Sequence, residues 1–446
     1  MFADILNYIL DLGAAIFLPI IMIILGLIMK MKPRKAIIAG LTLGVAFTGM
    51  NLVLGFMFDT ISPVAQEFVK NTGIQFNTID VGWSPMSAIS WAWPYALLMF
   101  PVQIVLNIII LALNKTNVLN VDLWNVWGKI FTATMVAAIT NSVILGFAAA
   151  IVQIILELKI GELNQKQIYE VTKIPGVTCT HYMTLQCVIM NPVNKLLDFI
   201  PGLKDSKMNA DKLKDKIGIF GENSVMGFII GGIIALVAGY TVKDSLNIAI
   251  KVATALVLFP MVAKLFMQAL APIADAAGEY MKKKFKDREI FIGLDWPFMA
   301  GQSEIWVVAI LLVPLELLFA ILMSKMGLSN ILPLAGIVNI IVVVPALIVT
   351  GGNLIRMLIL SIIFTPFYLF VSSSFAPFVT DLARKVGTIN IPDGQMISYF
   401  GVEAPFFRWI ISNGLAGDIL GIIGMIIFAV CYYFFVKEMK KRNANL

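Results

Sequence analysis

Charge is scarce in this chain. Of its 446 residues only 13% are Asp, Glu, Lys or Arg, while 59% are hydrophobic. A soluble domain carries roughly a quarter charged residues, so a soluble globular fold is excluded and a polytopic membrane protein is expected. Cysteine is also scarce. Cys179, Cys187 and Cys431 fall in apolar stretches and form no CxxC, which argues against a zinc site and a disulfide framework. There is one histidine and no cluster of metal-ligand spacing, so no metal and no cofactor is expected. Strict apolar/polar alternation is missing, which excludes a closed β-barrel. The basic balance (net charge +6) comes without an aromatic-basic patch, so no nucleic-acid partner is implied. The first residues, MFADILNYILDLG, lack a basic region and a cleavage site, and are read as mature chain.

What is present is a series of apolar runs, each about 20 residues long and able to span a bilayer as a helix. They cover approximately 13–30, 36–57, 95–113, 130–158, 217–240, 245–270, 304–323, 329–350, 354–372 and 414–436. No charge interrupts the chain between Lys129 and Glu157. A straight helix of that length reaches about 40 Å, so either one long tilted helix or two helices broken near Thr140-Asn141-Ser142 is expected.

Internal similarity favours the break. KPRKAIIAG at Lys32 resembles TVKDSLNIA at Thr241. IDVGWSPMSA at Ile79 resembles GLDWPFMAG at Gly293, and AAITNSVILG at Ala137 resembles ALIVTGGNLI at Ala346. These and further pairs keep one order at an offset of about 210 residues. The expected fold is therefore an all-α membrane protein of about eleven spans: a first repeat over 1–216, a second over 217–412, and a final helix with a basic tail over 413–446. The basic turn KMKPRK is assigned to the cytoplasm, with the N-terminus outside. After an odd number of crossings the second repeat is inverted, and the C-terminal KEMKKR also falls inside. Inverted repeats are characteristic of transporters.

Four stretches are too broken to cross: Asp80–Pro94, Ile174–Pro192, Leu294–Glu304 and Ile391–Ile411. Irregular backbone at membrane depth survives only where protein or a wet cavity satisfies its polar groups, so these are expected to be re-entrant hairpins. A further pair, Thr60–Lys70 and Pro272–Arg288, has the pattern of interfacial amphipathic helices. Ionisable residues in such places are functional candidates by default. They are Asp295, Glu304, His181 and Glu403. Asp295 could equally cap a helix starting at Trp296-Pro297, and Glu222 could cap a span. Glu316 and Lys264 are expected to face the bundle interior or to snorkel. Imidazole can accept a hydroxyl proton near neutral pH, which makes His181 a candidate base.

The DWPFMAG element at Asp295, GENS at Gly221, VGWSP at Val81 and GVEAPFFRW at Gly401 resemble the galactitol-type enzyme IIC components of the bacterial phosphotransferase system, within the ascorbate-galactitol superfamily. The resemblance runs over essentially the whole chain. It implies a homodimer in the cytoplasmic membrane, paired amphipathic helices and elevator-like motion of one domain. It further implies import of a polyol, which a separate IIB protein then phosphorylates from phosphocysteine, with IIA upstream. His181, Asp295 and Glu304 are then the expected catalytic groups. Gln302, Glu403, Asn141, Asn353, Trp296 and Glu222 are expected to bind substrate. No stretch is long enough to be a fused IIA or IIB domain, and the Lys-rich inner face offers a docking surface. The competing expectation is an ion- or proton-coupled secondary transporter of a polyol or sugar. An intramembrane enzyme without transport is disfavoured by the single histidine.

Overall fold

The computed structural model describes residues 14–72, 76–122, 124–203, 219, 222–284, 289–333, 335–387, 391 and 394–444. The Lys-rich stretch 204–216, Gly221 and part of the basic cluster after Met281 lie outside the described residues.

Helices dominate. In chain order the elements are α1 Ala14–Ile28, α2 Pro33–Thr72, β1 Thr78–Asp80, α3 Trp83–Trp91, α4 Ala96–Ala112, β2 Val118–Asn120, α5 Trp127–Thr140, α6 Val143–Thr172, β3 Val177–Cys179 and α7 Gln186–Leu196. There follow α8 Asn223–Val237, α9 Val242–Lys284, β4 Phe291–Leu294, α10 Ser303–Lys325, β5 Ile331–Leu332, α11 Ile340–Thr350, α12 Leu354–Val386, β6 Met396–Ser398, α13 Pro405–Leu415 and α14 Ile419–Ala444. Among the described residues, five helices are long and apolar enough to cross a membrane; the pair Pro85–Trp91 and Ala96–Ala112, bent by 90°, makes a possible sixth span.

The uncharged stretch is two helices. Asn141 takes the left-handed conformation (φ 55°), which Asn tolerates better than most residues, and ends α5. Ser142 caps α6, accepting the Leu145 N–H at 3.3 Å. One expectation is corrected. The amphipathic stretches are not separate helices: Thr60–Lys70 continues α2, a 40-residue helix, and the described part of Pro272–Arg288 continues α9, of 43 residues. Pro63 lies inside α2 without ending it. The fold is helical as expected, with a few short strands between the helices. Six short strands form two three-stranded parallel sheets, in the orders β5-β1-β6 and β2-β4-β3. Thr78 pairs with Ile331 and Met396; Ile292 pairs with Leu119 and Val177.

The strands satisfy backbone groups that the breaks between helices would otherwise leave bare. Most of their residues are buried, and the chain after each strand leads to one cavity.

Candidate functional site

The cavity collects the ends of all six strands. It is lined by Trp83 after β1, Asn125 and Trp127 after β2, and His181 after β3. Asp295, Trp296 and Pro297 follow β4, Gly336 and Asn339 follow β5, and Tyr399, Gly401 and Glu403 follow β6. Phe47 enters from α2. Aromatic walls with a few convergent polar groups are the usual form of a small-ligand site.

His181 caps the turn Tyr182–Leu185. Its Nδ1 accepts the Met183 N–H at 3.2 Å. That bond leaves Nδ1 without a proton, so a neutral imidazole carries its proton on Nε2. Burial, followed by the charges of Lys129 and Arg408, pushes the His181 pKa well down and keeps the ring neutral. The Nε2–H faces two carboxylates, 3.8 Å from Asp295 Oδ1 and 3.9 Å from Glu403 Oε1. Both distances exceed a hydrogen bond and leave room for an oxygen between the groups.

Asp295 caps its own turn, accepting the Trp296 N–H at 2.7 Å with Pro297 in the first turn. Asp295 thus caps its own turn and also lines the cavity. Burial, and next the charge of Asp122, raise its pKa well above the usual carboxylate range. Glu403 accepts the Tyr399 hydroxyl at 3.3 Å. Burial lifts its pKa to about 7, with the Arg408 guanidinium opposing the rise. Both acids lie in connections, outside the spanning helices. Ala404, next to Glu403, is left-handed (φ 54°) and starts α13. A non-glycine residue there is strained by about 1 kcal/mol or more, as is common at functional sites.

A buried polar layer lies behind these groups. Asn125 Nδ2 donates to Asp122 Oδ2 at 2.8 Å. Lys129, fully buried, sits 2.8 Å from Glu157, and Gln153 donates to the same carboxylate at 2.8 Å. Arg408 donates to Thr132 Oγ1 (3.0 Å) and the Gly128 carbonyl (2.8 Å), over the rings of Phe131 and Tyr182. Asp80 binds three segments at once, accepting N–H groups of Gly82, Phe400 and Gly336 at 3.2, 3.1 and 2.9 Å. Among the described residues no group of three His, Cys, Asp or Glu side chains is set to hold a metal.

Of the residues singled out from sequence, His181, Asp295, Trp296 and Glu403 meet in this cavity. The others do not line it. Glu304 is buried in the first turn of α10 and Gln302 occupies that helix's N-cap position. Asn353 caps α12, accepting the Arg356 N–H at 3.1 Å. Asn141 is the left-handed end of α5, and Glu222 is the N-cap position of α8. Glu316 is fully buried on α10. Sequence reasoning missed Asn125, Trp127, Tyr399, Asp80 and the Lys129–Glu157 pair. The pair was visible only as two charges bracketing an apolar run, itself a warning sign at membrane depth.

A family model described as "PTS system sugar-specific permease component" matches residues 8–394. The chain belongs to this family. It is 32% identical over 437 residues to the "PTS system galactitol-specific EIIC component" of Escherichia coli (strain K12), covering 97% of this chain and 95% of that protein. The same figures hold for the protein of that name in Escherichia coli O157:H7. A "Putative permease IIC component" of Escherichia coli (strain K12) is 31% identical over 441 residues, covering 98% and 99%. This membrane permease component of a phosphotransferase system thus aligns with its relatives from end to end.

Proposed function

We propose that the chain imports a galactitol-like polyol and holds it for phosphorylation by a phosphocysteine IIB protein. The observation that carries this reading is the gap between His181 Nε2–H and the carboxylates of Asp295 and Glu403. A hydroxyl seated there accepts from the imidazole and donates to a carboxylate. His181 is then a donor that positions substrate, and the base that takes the hydroxyl proton is Glu403 or Asp295. Trp83, Trp127 and Trp296 offer apolar faces to the C–H surface of an uncharged chain. Phosphoryl transfer needs this kind of positioning more than covalent help from the permease.

The transport frame has eleven spans: α1, α2, α4, α5, α6, α8, α9, α10, α11, α12 and α14. The sheets support it. Exchanging β1 with β4, β2 with β5 and β3 with β6 converts one sheet order into the other, as expected of an inverted repeat. In this topology β5-β1-β6 lies toward the outside and β2-β4-β3 toward the cytoplasm. His181 and Asp295 then approach the cavity from below, and Tyr399 and Glu403 from above, near the midplane. The N-terminus is outside and the C-terminus inside. Helices α1, α2, α8 and α9 pack on one another, which suits a fixed, dimer-forming scaffold. The strands and remaining repeat helices suit the body that moves as an elevator.

The test is uptake of labelled galactitol into vesicles supplied with phosphoenolpyruvate, the general phosphotransferase proteins, IIA and IIB. Galactitol phosphate that forms only with both this chain and IIB present supports the reading. Accumulation of free polyol that needs no phosphoenolpyruvate and collapses with a protonophore refutes it in favour of ion coupling.

A further inference from the structure

A basic cleft lies between the C-terminal end of α7 and the last turns of α14. It is lined by Lys195, Phe434, Lys437, Glu438, Lys441 and Arg442. Its one carboxylate is already engaged. Glu438 Oε1 accepts from Arg442 at 2.9 Å, its Oε2 accepts from Asn191 at 3.2 Å, and Lys195 pairs with it. Lys437 and Lys441 are exposed, and among the described residues no carboxylate lies within ion-pair distance of either. Large apolar side chains accompany these cations: Phe434 lines the cleft and is 56% exposed, and Leu196, next to Lys195 in the chain, is 61% exposed. An aromatic and aliphatic centre ringed by Lys and Arg is the composition of a protein-binding patch.

Two further contacts tie the cleft to the substrate site. Arg356 Nη1 donates to the Asn194 carbonyl (3.1 Å) and Oδ1 (3.0 Å), anchoring the end of α7 that carries Lys195. The other end of α7 continues from the turn that His181 caps. His181 and Lys195 are therefore ends of one stiff element, about 20 Å apart at helical rise.

We infer that this cleft is the docking surface for the phosphoryl-donor protein. The inference rests on the proposed function and topology, which place the cleft on the cytoplasmic face. Charge complementarity selects the occupant, since the donor presents a dianionic phosphoryl group. Uncompensated lysines steer such a partner and raise its encounter rate. His181 and Lys195 move together on that element, so the docked donor itself spans the roughly 20 Å from the cleft to the substrate site.

The experiment compares the wild type with Lys437→Glu/Lys441→Glu, each as the full chain in nanodiscs of neutral lipid. A galactitol-type IIB protein phosphorylated on cysteine is titrated against labelled galactitol. The double variant is expected to raise the half-saturating donor concentration tenfold or more. The maximal rate and galactitol affinity stay within twofold, and added salt narrows the gap. Lys437→Gln/Lys441→Gln shifts it less, in the same direction; Phe434→Ala raises it at every salt concentration. An unchanged half-saturation in both double variants overturns the inference. So does an effect seen only in anionic-lipid vesicles, which assigns the lysines to headgroups. If the wild type itself forms no galactitol phosphate, the proposed function fails and the docking inference falls with it; normal turnover with an unmoved half-saturation refutes docking alone.

Discussion

Asp80 gives the sharpest test of what holds the site together, because two large effects oppose each other there. Its carboxylate is 6% exposed and accepts three backbone N–H groups from three segments. Truncation to Ala strands all three donors at about 1–3 kcal/mol each, about 3–9 kcal/mol in total. Burial also raises the Asp80 pKa from 3.8 to about 6. The ionised form is therefore disfavoured in the folded protein by about 3 kcal/mol above pH 6, which any neutral residue recovers. Asp80→Ala is thus expected to lose about 3 kcal/mol at pH 7.5. Asp80→Asn keeps one acceptor oxygen, strands one donor at about 1–3 kcal/mol, and also recovers the charge term, so it comes out close to the wild type. The pH dependence has a definite sign. A raised carboxylate pKa contributes stability below the unfolded value near 3.8 and loses it as pH rises toward 6. The wild type should therefore gain on the Asn variant as pH falls from 7.5 to 5. Thermal inactivation of the three proteins in one detergent at the two pH values measures this. An Ala variant as stable as the wild type at pH 7.5, or an Asn variant that falls as far as Ala, refutes the reasoning.

Lys129→Met should cost about 3–5 kcal/mol by leaving Glu157 buried and unpaired, and Lys129→Met/Glu157→Met should recover most of it; thermal inactivation of single and double variants decides. With a Glu403 pKa near 7, polyol phosphorylation should rise as pH passes through that value and the carboxylate becomes free to take a proton. Arg408, Lys129, Tyr182, Tyr399, His181 and Asp295 set that environment. Glu403→Gln should abolish the rise and slow transfer about 10²–10⁴-fold; a variant that keeps the rise moves the base to Asp295. Glu304→Gln, outside the cavity, should bind galactitol within about twofold of the wild type, whereas Asp295→Asn should lose affinity by about tenfold, the loss of one buried hydrogen bond. Gly293→Ala puts a Cβ 2.4 Å from Thr180 Cγ2 and 2.8 Å from its Oγ1, directly before His181. Galactitol affinity should drop, and Thr180→Ala, which removes both clashing atoms, should restore it in the double variant.

The helices were legible because apolar runs and the helical rise fix where a chain can cross, and because Asn141-Ser142 carries stop and start chemistry. The strands were not. Segments as short as Thr78–Asp80 or Ile331–Leu332 contain too few residues to show a period of two, and their burial makes them read as more apolar helix. The continuity of α2 past Pro63 was hidden for the opposite reason: the change from apolar to amphipathic composition imitates a boundary that the backbone does not have. His181, Asp295 and Glu403 could be found because each is ionisable inside a Gly- and Pro-rich break. Asn353 and Glu222 share that setting, yet one caps a helix and the other stands at an N-cap position, since caps and binding sites use the same polar residues at the same kind of place. Asn125, Trp127 and Tyr399 come into the cavity only because strands from distant parts of the chain end together, which local pattern cannot show.

The way the sheets are shared limits how this protein can move. β1 pairs only with β5 and β6, and β4 only with β2 and β3. Each central strand therefore has both neighbours in the other half of the sequence. Separating the halves would break both sheets and strand the buried backbone groups they satisfy, a cost far above any binding energy available from one small polyol. The pairing therefore opposes a rocking motion of one half of the sequence against the other. The remaining division runs across both halves of the sequence. Helices α1, α2, α8 and α9 contain no strand and pack mainly on one another, so they can slide against the strand-bearing body without breaking a sheet. Phe47 on α2 is the residue of these four helices that lines the cavity, and the stacked rings of Phe259 on α9 and Trp306 on α10 bridge the same division. In the elevator motion proposed above, these contacts, and not the sheets, are the ones that exchange.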